Sequence, residues 1–226
     1  MADKIPFRNR AHEVSRLEAF SDVIFGFAVS LLVVSLEVPK DFREMVELLH
    51  GFLPFAICFA LFIDIWFEHH HFFRRYAIFD RATMALNTVL LFVILFYVYP
   101  LKYMFTILVN GLRGEDPHIP PGGMRLLFSV YGIGFAAVFF VLAALYHRAW
   151  SKRDELELNA VERIDTKESI YDNLFMGCFG MLSLLLANIG LLGLAGPVYF
   201  LIAIPKTLVP WMMGARRRKA EAAMSS

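Results

Sequence analysis

Between Arg16 and Pro39 the chain reads RLEAFSDVIFGFAVSLLVVSLEVP, and this stretch decides the fold class. A bilayer core of about 30 Å takes roughly 20 mainly apolar residues as an α-helix. Residues 17–38 meet that length with Glu18, Asp22 and Glu37 as their only ionisable side chains. Residues 1–16 are charged with both signs, and no small-residue cleavage pattern closes a short apolar core. The run therefore reads as a retained membrane helix, not a secretory signal.

Working outward, further apolar stretches lie at about 45–69, 82–105, 124–146, 170–194 and 197–213. With the first, at about 17–38, they predict an all-α integral membrane protein. It has six transmembrane helices per chain and forms a single domain over residues 1–226. Composition agrees: 58% hydrophobic and 19% charged residues, with mean hydropathy +0.56, against about 45–50% and 25% in soluble domains. A net charge of +1 argues against nucleic acid as a partner. Cys58 and Cys178 both sit inside apolar runs, which excludes a disulfide framework.

Lys and Arg in the flanks set orientation. Six spans put both termini on one side, and that side carries sixteen Lys and Arg against five on the other. Both termini are expected to be cytoplasmic. Residues 109–123 form a Gly/Pro-rich external loop, and residues 147–169, charged with both signs, read as a helical extension or solvated connector.

Ionisable groups inside a span are expensive and direct attention to function. On the first helix Asp22, Gly26, Ser30, Val33 and Glu37 follow helical spacing. Such a stripe either packs closely on another helix or faces water. In the second span Asp64, Glu68 and His71 share a face beside His69 and His70, a spacing that can suit a transition metal. No second Glu-x-x-His or His-x-x-x-His completes a site, so no metal and no cofactor is assigned. Ser129-Val130-Tyr131-Gly132 lacks the first glycine of a potassium filter loop and reads as ordinary helix. Asn87 and Asn188 are expected to bond to neighbouring helices, and Lys206 to snorkel or pair with a carboxylate. No nucleophile elbow, P-loop or dinucleotide fingerprint occurs, which argues against an enzyme.

The pattern Arg16-x-x-x-Phe20-Ser21-Asp22 at the start of a first membrane helix resembles the endolysosomal transmembrane potassium channel family and its bacterial homologues. Trp66-Phe-Glu-His69-His70 is similar to that family's Trp-x-x-His-His, and Asn87 and Pro100 to its third-helix Asn and Pro. The resemblance implies a potassium-selective channel of the prokaryotic inner membrane, with K⁺ and other monovalent cations as its permeant partners. It implies a homotetramer whose pore is lined by the first helix. Carried over position by position, Phe27, Leu31 and Val34 fall on the hydrophobic constriction and Ser30 on a polar ring. Glu37 falls at a pore mouth, and the motif residues Arg16, Phe20, Ser21, Asp22, Trp66, His69, His70 and Asn87 form a structural network. Family members usually carry Ile or Leu at the narrowest ring, where this chain has the bulkier Phe27. The alternatives are a secondary transporter, which lacks support from any internal repeat, and an intramembrane metal or haem protein built on Asp64, Glu68 and the three histidines.

Overall fold

A computed structural model describes residues 6–34, 39–114 and 119–225. Among these residues the regular structure is helical: α1 (Arg16–Val34), α2 (Phe42–His50), α3 (Phe52–Tyr76), α4 (Arg81–Leu112), α5 (Gly123–Ser151), α6 (Ala160–Asn188), α7 (Leu192–Ala195) and α8 (Ala203–Ser225). A 3₁₀ turn, Pro197–Ile202, joins α7 to α8. Six helical segments are long and apolar enough to cross a membrane: α1, α3, α4, α5, α6 and the run Leu192–Ala223.

Local chemistry explains where these helices begin and end. Ser15 Oγ accepts from the Glu18 amide at 3.1 Å and starts α1. Asp80 accepts from the Thr83 amide at 2.9 Å and starts α4. At α6, Asn159 and Glu162 exchange side-chain and backbone bonds in a reciprocal capping box. Ala77, at φ 50°, turns the chain out of α3 while its amide bonds back to Phe73.

The boundaries differ from the expected spans in three places. The second span begins at Phe52 instead of about residue 45, because Gly51 breaks the chain between it and α2. In α2, exposed Phe42, Met45, Val46 and Leu49 recur at helical spacing among charged residues, which is an amphipathic surface helix and not part of a crossing. The fifth span starts at Ala160, ten residues before 170, since the capping box and ion pairs hold its charged first turns. Its C-terminal end is Asn188, where Gly190 at φ +91° turns the chain. The sixth is not one helix from 197 to 213: Pro197 opens the 3₁₀ turn, and α8 continues to Ser225.

α1 packs on α3 and α4, while α5 lies between α4 and α6, and α8 lies against α6. The closest approach is α5 on α6. A Cβ at Gly132 would come within 2.7 Å of Gly180 O, and one at Gly180 within 2.8 Å of Ala136 N. Small residues thus let two backbones meet where lipid supplies no hydrophobic drive. The core between the helices is aromatic, with Phe62, Phe72, Phe73, Tyr76 and Tyr146 almost fully buried.

A leader, residues 6–15, straps the terminal end of the bundle. Arg10 and Ala11 amides bond to Arg74 O at 3.0 and 3.2 Å. Arg8 and Arg10 each place Nη2 at 2.8 Å from Glu162 Oε2, and Phe7 meets Tyr76 edge-on at 5.4 Å. Glu162 is 0% exposed and also accepts from the Asn159 amide at 3.0 Å.

Candidate functional site: the open face of the first helix

The inner face of α1 is held by a polar relay. His69 Nε2 lies 2.8 Å from Asn87 Oδ1, which can only accept, so the imidazole donates from Nε2. Asn87 Nδ2 donates to Ser21 Oγ at 2.9 Å, and Ser21 donates to Leu17 O at 2.8 Å. Beside this relay, Trp66 Nε1 donates to Asp22 Oδ1 at 2.8 Å. His70 stacks on Trp66 and sets Nδ1 3.4 Å from the buried carboxylate of Glu18. The relay therefore crosses from α3 through α4 to α1, and buried polar groups that find partners in this way fix helix register.

Arg16 and Phe20 stand outside that network. Both are exposed, and among the described residues Arg16 forms no hydrogen bond or ion pair. Asp22 is held instead by Trp66, whose Nε1 donates to Oδ1.

With Glu18, Ser21, Phe25, Ala28 and Leu32 turned inward, the opposite face of α1 is left open. Phe20, Phe27 and Val34 recur one heptad apart on it, exposed by 58%, 53% and 75%. Val23 and Ser30 follow three residues behind the first two, also exposed. Ser30 Oγ donates to its own helix at Gly26 O, 2.9 Å away. Leu31 sits at the margin, half-buried against the core. Gly26 has open space where a Cβ would stand, so at this position the stripe of α1 packs on nothing among the described residues. Glu37 lies outside the described residues.

The second-span cluster divides. Glu68 accepts from Tyr146 O–H at 3.0 Å. Asp64 lines a cavity of about 440 Å³ together with Lys206, and His71 stacks on Phe67. Asn188 donates to Ser129 Oγ at 3.1 Å, and Ser129 to Gly132 lie inside α5 as ordinary helix.

The sequence pattern described as "endosomal/lysosomal potassium channel TMEM175" matches residues 16–97, the segment that contains the relay and the open face. A protein of Marivirga tractuosa named "Potassium channel" is 39% identical over 214 residues, covering 86% of this chain and 85% of the relative. The chain belongs to the TMEM175 family. Among solved structures, a crystal structure of a variant of the potassium channel MtTMEM175 with a Nanobody-MBP fusion protein aligns with TM-score 0.82 and 36% identity. That alignment covers 92% of this chain and 97% of the other. A lysosomal potassium-selective channel TMEM175 homolog from Chamaesiphon minutus aligns with TM-score 0.60 and 25% identity, over 88% and 99% of the two chains. The family is one of channels, not enzymes.

Two elements of this TMEM175 chain escaped the reading of residues. The buried Glu18 beside His70 carries no spacing signal of its own. Glu162, at the centre of the strap, does carry one: Asn159-x-x-Glu162 is a capping-box spacing inside residues 147–169, the stretch expected to be a helical extension or a solvated connector.

Proposed function

We propose that this TMEM175 chain is one subunit of a potassium-conducting homotetramer in a prokaryotic inner membrane, with both termini cytoplasmic. Four copies of α1 surround the pore. The observation that carries the reading is the open heptad face of α1, Phe20, Phe27 and Val34 with Val23 and Ser30. Side chains at heptad spacing on one exposed face suit helices that converge on a common axis. Gly26 and Ser30 on or beside that face fit an axis better than lipid.

In this arrangement Phe27, Leu31 and Val34 form the apolar constriction and Ser30 a polar ring between them. A hydrophobic throat gates by dewetting. Passage strips part of the ion's water, and the more tightly hydrated Na⁺ loses more by it than K⁺. Glu37 at a pore mouth raises the local cation concentration.

The test is a paired flux assay in liposomes at matched protein density. Phe27→Ala is expected to raise basal K⁺ flux and to reduce discrimination against Na⁺. Phe92→Ala, at an exposed position on α4, is expected to change neither. Equal behaviour of the two variants would remove Phe27 from the pore.

A further inference from the structure

α6 and α8 leave between them a groove of about 490 Å³ that plays no part in the proposed pore. Tyr171, Phe175 and Phe179 line it from α6 at steps of four residues. Ile204, Leu208 and Met212 line it from α8 at the same step, and the next step along α8 is Arg216, which closes the groove's end. At 1.5 Å per residue, Ile204 to Arg216 spans about 18 Å. That is slightly more than half a hydrocarbon core of about 30 Å, the depth of one leaflet.

The charges at that end are sorted by helix geometry. Arg217 is turned away, with Nε 2.9 Å from Asp165 Oδ1 and Nη1 2.8 Å from Glu221 Oε1. Arg218 lines a separate polar cavity with Glu68, Asp165 and Glu168. Arg216 and Lys219, three residues apart on one side of α8, are exposed. A basic pair at the mouth of an apolar slot one leaflet deep is complementary to a molecule with a single anionic head and a hydrocarbon tail. Stop-transfer charge alone accounts for basic residues after a span, but not for an aromatic-lined groove that ends on one of them.

We propose that this groove binds an anionic phospholipid of the leaflet next to the chain termini, with an acyl chain along Phe175 and Leu208 and its phosphate at Arg216 and Lys219. The test titrates purified, delipidated protein with mixed micelles of phosphatidylglycerol or phosphatidylcholine of matched chain length and counts bound lipid per chain. Phosphatidylglycerol is expected to saturate near one per chain and phosphatidylcholine to bind at least about tenfold more weakly. The double variant Arg216→Gln, Lys219→Gln is expected to weaken phosphatidylglycerol binding about 30-fold at low salt. Leu208→Trp, which fills the groove and keeps the charges, is expected to lower the stoichiometry. Gel filtration and circular dichroism establish that each variant is folded. Equal binding of the two lipids, undiminished binding by the double variant, or an equal loss in Arg218→Gln would each overturn the site. So would a groove closed to both lipids by a second copy of the chain. The readout is bound lipid, so the outcome is independent of whether the protein conducts.

Discussion

Asn87 is the residue through which three helices meet, and its amide uses both ends: Oδ1 takes the His69 proton and Nδ2 serves Ser21. Asn87→Ala strands a buried imidazole N–H and removes a bond from a buried hydroxyl. Within a bilayer such bonds contribute about 0.6–2 kcal/mol each, so thermal unfolding of the purified protein should begin a few degrees lower. Adding Ser21→Ala should cost less than the sum of the two single changes, because they share one bond. Asp22→Ala and Arg16→Ala separate in the same assay. The first leaves Trp66 Nε1 without its acceptor, while the second touches no described bond within the chain. Asp80 supplies a pH test. Hydrogen bonds from Arg148 and Thr83 hold its carboxyl well below the usual carboxylate range. A depressed folded pKa stabilises above the unfolded value and is lost as pH falls through the folded one. Asn caps a helix as well as Asp does, so Asp80→Asn removes the charge that pairs with Arg148 and keeps the cap. Its destabilisation, up to about 1 kcal/mol for a partly exposed pair, should therefore be constant from pH 5 to 8 and shrink below about pH 4.

At the scale of elements, α5 and α6 are held together by what their glycines lack. A methyl group at Gly180 would meet backbone atoms of Gly132 and Ala136, each at 2.8 Å, and neither can rotate away. Gly180→Ala is expected to destabilise by about 1–3 kcal/mol or more. Gly193→Ala, which meets nothing within 4 Å, should stay within about 0.5 kcal/mol; urea or thermal denaturation of the pair in one detergent decides it. These helices also show where the residues were readable. Long apolar runs define crossings because the bilayer fixes their length, so six helices were legible, with the starts of α1, α4 and α5 within one residue, while α4 runs on to Leu112, seven residues past its expected end. The split of residues 45–69 was not, because Gly51 interrupts a run whose apolar content barely changes across it. Asn87 and His69 were legible as polar groups inside spans, and Trp66 through the family motif. Their partners were not, since pairings such as Trp66 with Asp22, 44 residues apart, depend on packing that no local spacing encodes.

For the whole molecule, the strap joins the leader to both halves of the bundle. Glu162 is completely buried and accepts from Arg8, Arg10 and the Asn159 amide. Arg8 is 54% exposed and Arg10 18%, so neither guanidinium is stranded without water when Glu162 is lost, and the cost is that of the charge-assisted bonds, about 1.5–3 kcal/mol. Glu162→Gln leaves two guanidinium groups facing a neutral amide and is expected to lower the unfolding temperature markedly. Exposed Glu155→Gln is expected to leave it nearly unchanged. Limited proteolysis of residues 6–15 should quicken in the first variant only.

The same clasp imposes an order on how the protein is made. Arg8 and Glu162 are separated by 154 residues, and ribosomes add about 5–20 residues per second. Roughly 10–30 seconds therefore pass between the synthesis of the leader and that of the carboxylate that holds it. During that interval helix α1 is already in the membrane with its open face bare, and its leader has only Arg74 O and Tyr76 on α3 to hold it. The chain can close the ion-paired part of its amino-terminal clasp only once the fifth of its six crossings has begun, so a translation arrested before α6 would leave the guanidinium groups of Arg8 and Arg10 without their carboxylate.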